Sequence, residues 1–170
     1  RELKEVGITK VVMMTGDSER TAAAIAKRVG VDEYYSEVLP EDKASFVERE
    51  KELGHKVIMI GDGINDSLAL SSASVGIAIS DGAAIAREIA DVTISADNLH
   101  EIVTLKRLST ALMKRIHNNY RTIIGINGGL IALGVTGIIM PTTSALLHNM
   151  STLTISLRSM RNLLPKEEEA

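Results

Sequence analysis

Cysteine is missing from the 170 residues, so there are no disulfides and no thiolate metal site, and nothing points to a redox compartment. Tryptophan is missing as well, and aromatic residues make up only 2%. That is unusual for a self-sufficient globular core, which normally leans on large aromatic side chains. A basic excess is also lacking: the formal net charge is -3, which gives no electrostatic case for nucleic acid as a general partner. The first residue is Arg1 rather than Met, and no basic-then-apolar signal segment follows it. "RELKEVGI" reads as the tail of a helix closing at Gly7, an element already under way. Together these features read as a fragment. Finally, no Asp, Glu, Lys or Arg occurs between Thr122 and Leu157.

What is present falls into two regions. From Lys10 to about Ser95, short apolar β-rich runs alternate with helical patterns. "KVVMM" (10–14), "KVIMI" (56–60), "SVGIAI" (74–79) and "DVTIS" (91–95) are continuous rather than alternating, as expected of strands covered on both faces. "SERTAAAIAKRVG" reads as a helix with Ser18 placed to cap it and Gly30 to end it. "PEDKASFVEREKELG" reads as another, from Pro40 to Gly54. Strands alternating with helices imply parallel pairing through right-handed crossovers. The expected fold is an incomplete α/β sheet.

From Asn98 onward no strand signal remains. Residues 98–121 read as a polar, basic connecting helix. Residues 122–164 read as a transmembrane helical hairpin divided by Gly137 and Pro141, with about 18 residues on each side, the low end of what spans a bilayer. A buried soluble hairpin is the alternative, but such helices rarely lack charge on every face. Lys106, Arg107, Lys114, Arg115 and Arg121 precede the hairpin, and Arg158, Arg161 and Lys166 follow it. The positive-inside rule then places residues 1–121 and the charged tail (165–170) in the cytoplasm, and the Met140–Pro141 turn outside.

Three polar clusters fall at or beside strand ends, where open parallel sheets bind ligands. They are Thr15-Gly16-Asp17, Lys43 in the first turn of its helix, and Gly61-Asp62-Gly63 with Asn65 and Asp66. Alone, a TGD is often just a turn and helix cap, and a lone lysine is usually solvated. Together they supply a hydroxyl, a cation, two carboxylates and glycines that let backbone amides approach an anion. That set suits a phosphoryl group with magnesium, which is usually held by one or two carboxylates plus phosphate and water.

"MTGDSERTAAAIAKRVGV", "VLPEDKASFV", "VIMIGDGINDSLAL", "VGIAI", "GAAIAREIADV" and the closing "LRSMRNLL" resemble the C-terminal part of heavy-metal-transporting P-type ATPases. The resemblance covers essentially the whole chain and implies a haloacid-dehalogenase-like phosphorylation domain (1–97) followed by the last two membrane helices. It implies that Thr15 contacts the phosphoryl group, Lys43 stabilises it, and Asp62 and Asp66 hold magnesium. Gly16, Asp17, Gly61, Gly63 and Asn65 would shape and orient the site. It also implies ATP as phosphoryl donor in the complete enzyme, a multi-pass location in a plasma or inner membrane, and a transition-metal cation as cargo. Two departures stand out. Leu68 replaces a usual proline, and the D-K-T-G motif bearing the phosphorylated aspartate is absent from these residues. Nucleotide-binding, actuator and earlier membrane segments would be further partners. A phosphatase fragment of the same fold and a short membrane-anchored regulator of a complete pump are the competing readings.

Within the hairpin, Asn127 in the first helix and His148, Asn149 and Ser151 in the second are candidate transport-site residues, with Thr152 a further polar group beside them. Polar groups inside a span are costly unless they serve a purpose, although Ser and Thr often only pack helices. Zinc and cadmium exporters of the resembling family commonly carry Lys and Asp near the places of Asn127 and Asn149. Imidazole suits several transition metals and amide oxygens suit harder ones, so the metal stays open.

Overall fold

The computed structural model describes residues 1–62, 64–79, 84–95 and 98–163. Gly63 and the charged tail, both singled out in the sequence, lie outside them. The chain divides into two compact units, Arg1–Val103 and Thr104–Ala170.

The first unit opens with a helical turn, α1 (Glu2–Glu5), closed by Gly7 at φ 94°, a left-handed conformation that glycine adopts without strain. Strand β1 (Val12–Met14), helix α2 (Glu19–Val29) and strand β2 (Glu33–Tyr35) form one parallel unit, with Val12 opposite Glu33 and Met14 opposite Tyr35. Helix α3 (Pro40–Glu52) leads to β3 (Ile58–Gly61), a 3₁₀ turn (Ile64–Asp66), α4 (Ser67–Ser72), β4 (Val75–Ile79), α5 (Ala84–Ile89) and β5 (Val92–Ile94). Strands β3, β4 and β5 pair in that order, all parallel. Among the described residues β1 therefore pairs only with β2, and β3 only with β4.

All four strands expected from the sequence form. Strand β2 was not expected, since its three residues are all exposed and "EYY" gives no apolar run. Gly30 ends α2 as expected, at φ 77° with its N–H on the Ala26 carbonyl. Ser18 occupies the N-cap position but makes no capping bond there; its hydroxyl meets that of Thr21 instead. Helix α3 is capped by Asp42, whose carboxylate accepts the Leu39 N–H at 3.3 Å.

The shortage of aromatics is met by small residues that let helices approach closely. Ala44 and Val47 of α3 pack on Ala69 of α4, with Val57, Met59 and Ala73 around them. Leu70 and Ala78 join α4 to β4. Burying Leu70 and Val47 stabilises by about 1.5–3 kcal/mol each.

The second unit is built on α6 (His100–Val135), whose first residues belong to the first unit, and α7 (Pro141–Ser159). Helix α6 runs unbroken through residue 121, because nothing in the sequence stops it before Gly137 at φ 71°. Arg115 donates to the carbonyls of Ser159, the last residue of α7, and of Arg161 and Asn162 beyond it, and the Asn119 amide donates to the Ser159 hydroxyl at 2.7 Å. No helix among the described residues is long and apolar enough to cross a membrane. The apolar part of α6 is diluted by Asn127 and four glycines (125, 128, 129 and 134), and α7 carries His148, Asn149 and several hydroxyls. The uncharged run folds as a helical pair in which neither helix reaches the apolarity expected of a span.

Candidate functional site

The unpaired edges of β1 and β3 both line one cavity of about 470 Å³. Its apolar part is formed by side chains of the two strands, among them Val12, Met14, Ile58 and Ile60. Its polar part carries Thr15, Gly16, Lys43, Gly61, Asp62 and Asp66. Three segments far apart in sequence thus converge, because β1 and β3 end on the same side and α3 is held on α4 by Ala44 and Ala69.

Lys43 Nζ lies 2.8 Å from Asp66 Oδ1, with the two side chains only 14% and 10% exposed. A buried carboxylate without a partner would cost several kcal/mol, and the contact with Lys43 offsets that cost for Asp66. Asp62 is exposed and makes no hydrogen bond among the described residues. Gly61 has a role beyond letting an anion approach. A Cβ there would stand 2.5 Å from Asp66 Cβ and 3.0 Å from its Oδ2, so only glycine leaves room for that carboxylate.

Thr15 is held by the backbone on both sides: its N–H reaches the Tyr35 carbonyl and its carbonyl accepts the Val38 N–H, both at 3.0 Å. Its hydroxyl donates to Asp17 Oδ2 at 2.8 Å and accepts the Asp17 N–H at 3.1 Å. Asp17 therefore orients Thr15 and does not itself line the cavity. Asn65 is exposed and also outside the lining. The brace from the loop after β2 had no sequence signal. It includes Glu37, at φ 53°, whose N–H bonds the Asp17 carbonyl.

Away from these groups, Lys10 is paired with Glu33 at 2.8 Å, which raises the lysine and lowers the carboxylate from their usual ranges. Asp32 is held low mainly by the Lys4 ammonium and by the Val11 N–H. Both pairs brace β1 and β2 rather than the polar mouth. In the second unit, His148 Nδ1 meets Asn127 Oδ1 at 2.9 Å, joining two of the candidate transport residues. Ser151 instead donates to the His148 carbonyl at 2.7 Å. No group of three His, Cys, Asp or Glu that would hold a metal occurs among the described residues.

Two carboxylates, a cation and a hydroxyl gathered beside the C-terminal ends of β1 and β3 match the oxygen-rich, phosphate-assisted coordination that magnesium prefers. A family model for haloacid dehalogenase-like hydrolases matches residues 1–74. A zinc-exporting P-type ATPase of Mycobacterium marinum is 37% identical over 161 residues, 94% of this chain and 22% of that protein. A copper-exporting P-type ATPase of Bacillus subtilis is 40% identical over 159 residues, again 94% of this chain and 20% of that protein. The solved structure of a zinc-transporting PIB-type ATPase in its E2·Pi state superposes with a TM-score of 0.88 at 32% identity, over 96% of this chain and 26% of that one. The chain spans about a fifth of the length of the curated relatives it matches. With its haloacid dehalogenase-like α/β unit and a match that runs through both units, the chain is similar along nearly its whole length to heavy-metal P-type ATPases.

Proposed function

We propose that this chain is the C-terminal segment of an ATP-driven transition-metal pump and supplies the magnesium- and phosphate-binding half of its phosphorylation site. The observation that carries this reading is the convergence of Thr15, Lys43, Asp62 and Asp66 on one cavity between two unpaired strand edges. Asp62 and Asp66 would hold magnesium, which neutralises charge on a transferring phosphoryl group. Thr15 donates its hydroxyl and Lys43 its ammonium to the remaining oxygens; Gly16 and Gly61 keep the mouth open, and Asp17 orients Thr15. The slot between β1 and β3 has strand edges on both sides, which suits a further parallel strand. We assign it to the segment that carries the phosphorylated aspartate. The cargo is a transition metal, because relatives export zinc and copper; Asn127, His148, Asn149 and Ser151 are its proposed ligands or their supports.

Residues 122–164 are proposed to lie in a bilayer among the helices of the complete protein, with 98–121 as the connection from the phosphorylation domain. Helix α7 is polar in composition, yet four of its eight hydroxyls are satisfied within the helix. Ser151 and Thr152 donate to the His148 carbonyl, Thr154 to Met150 and Ser159 to Ile155. Such internal bonds lower the cost of placing them in a water-poor medium.

The test is phosphoenzyme formation from labelled ATP and magnesium, stopped with acid. The 170-residue chain alone should take up no label, and Asp62→Ala in the complete protein should lower it to background. Acid-stable label on the chain alone, or near-normal label in the variant, would overturn the assignment.

A further inference from the structure

The ion pair in the site has a consequence for how its ligands enter. Lys43 Nζ sits 2.8 Å from Asp66 Oδ1, on the carboxylate proposed above to bind magnesium. A carboxylate oxygen already bonded to an ammonium is a poor ligand for a divalent ion, and the two cations repel each other across the same few ångströms. Asp66 is only 7% exposed, and among the described residues no second cation is bonded to it. Its other oxygen, Oδ2, lies on the Gly61 side, where the absence of a Cβ leaves it room. Asp62 lies at the mouth and is exposed, so it alone is open to the metal in this state.

We propose that Lys43 is a placeholder cation that holds Asp66 until a phosphoryl group draws the lysine off it, so that magnesium and phosphate bind cooperatively. The proposal rests on the magnesium reading above and adds an order to it. With the cavity empty, Lys43 neutralises Asp66 and keeps the fold intact. When a phosphate dianion arrives beside Thr15 and Lys43, the ammonium gains a more highly charged partner and releases Asp66. The freed carboxylate then completes the metal site with Asp62. No covalent bond changes; one ion pair is exchanged for two. Because coupling is reciprocal, magnesium must raise the affinity for phosphate by the same factor that phosphate raises the affinity for magnesium.

The test uses the full-length protein in detergent without nucleotide, with magnesium binding followed by calorimetry and by the magnesium-induced rise in melting temperature. The site-specific component is the part lost in Asp62→Ala. Lys43→Gln removes the charge but leaves an amide to hydrogen-bond Asp66, so the buried carboxylate keeps a partner. In the absence of phosphate this variant should bind magnesium about tenfold or more tightly than the parent. Adding inorganic phosphate should tighten magnesium binding in the parent and have no effect on it in Lys43→Gln. Lys43→Arg, which keeps the charge, should behave like the parent. If Lys43→Gln unfolds without metal, magnesium alone should restore its folded circular dichroism spectrum. Failure to restore it, or magnesium affinity equal to or weaker than the parent's, overturns the placeholder role while leaving the site assignment standing. If Asp62→Ala removes no magnesium binding at all, the site assignment falls, and the proposal with it.

Discussion

Gly61 on β3 and Gly76 on β4 lie two pairs apart in register, opposite Ala78 and Met59, and each fills its place because a methyl group cannot. The obstacles differ. At Gly61 an added Cβ meets the Asp66 side chain, whereas at Gly76 it stands 2.7 Å from the Leu70 carbonyl oxygen, which is backbone. Gly76 also receives the Asp91 carboxylate on its N–H at 2.8 Å. Gly61→Ala should therefore push Asp66 off its position, cost about 1–3 kcal/mol of stability and weaken magnesium binding. Gly76→Ala should cost at least as much stability while leaving magnesium affinity within a factor of about two, since its strain is absorbed between α4 and β4. Urea unfolding with a magnesium titration on each variant separates them. Equal magnesium affinities in the two would show that Gly61 serves only the sheet. The residues that meet at the cavity stood out in "TGD", "PEDK" and "GDGIND"; how they hold one another did not. That Asp17 serves Thr15, and that Gly61 yields space to Asp66, depends on side-chain packing that spacing along the chain does not encode.

At the scale of elements, strands with continuous apolar runs were readable, and β2 was not. Its partner β1 is partly covered along its length, while Glu33, Tyr34 and Tyr35 are all exposed, so the run carries charge and phenols where burial would have demanded aliphatics. Short α4 and α5 escaped for a related reason, because six residues hold too few turns for a helical period to show. The helical pair was readable from its missing charges, but its internal contacts were not. Among them the Asn127–His148 bond carries a prediction. An amide oxygen can only accept, so the bond fixes the proton on His148 Nδ1 and leaves Nε2 with its lone pair available to a metal. In the complete pump Asn127→Ala should raise the metal concentration for half-maximal ATPase stimulation by about 10–100-fold, and His148→Ala should abolish stimulation. Phosphorylation by inorganic phosphate should stay near normal in both, because on the proposed assignment that reaction draws on the magnesium site and not on the cargo. Unchanged stimulation by every transition metal tried would reduce the pair to helix packing.

For the molecule as a whole, the second unit poses the sharper physical problem. Ile131, Val135, Ile138 and Met140 are 67%, 84%, 69% and 72% exposed, a concentration of apolar surface that water would penalise. Neither helix passes as a span on its own composition, so the surface needs cover from lipid, from other helices of a longer protein, or from both. Charge argues for the orientation. Lys114, Arg115 and Arg121 precede the uncharged run and Arg158 and Arg161 follow it, with none between. Both helix ends bearing these cations should stay on the cytoplasmic side, and the Met140–Pro141 turn should emerge on the other. The lack of native cysteine within these residues makes the test direct. Thr142→Cys, placed beside the turn in a full-length protein with any other cysteines removed, should react with a membrane-impermeant maleimide added outside intact cells. Arg161→Cys should react only after the cells are opened. Reaction of the Thr142→Cys protein solely from the cytoplasmic side would mean that the pair does not cross, and that its apolar faces are buried against protein instead.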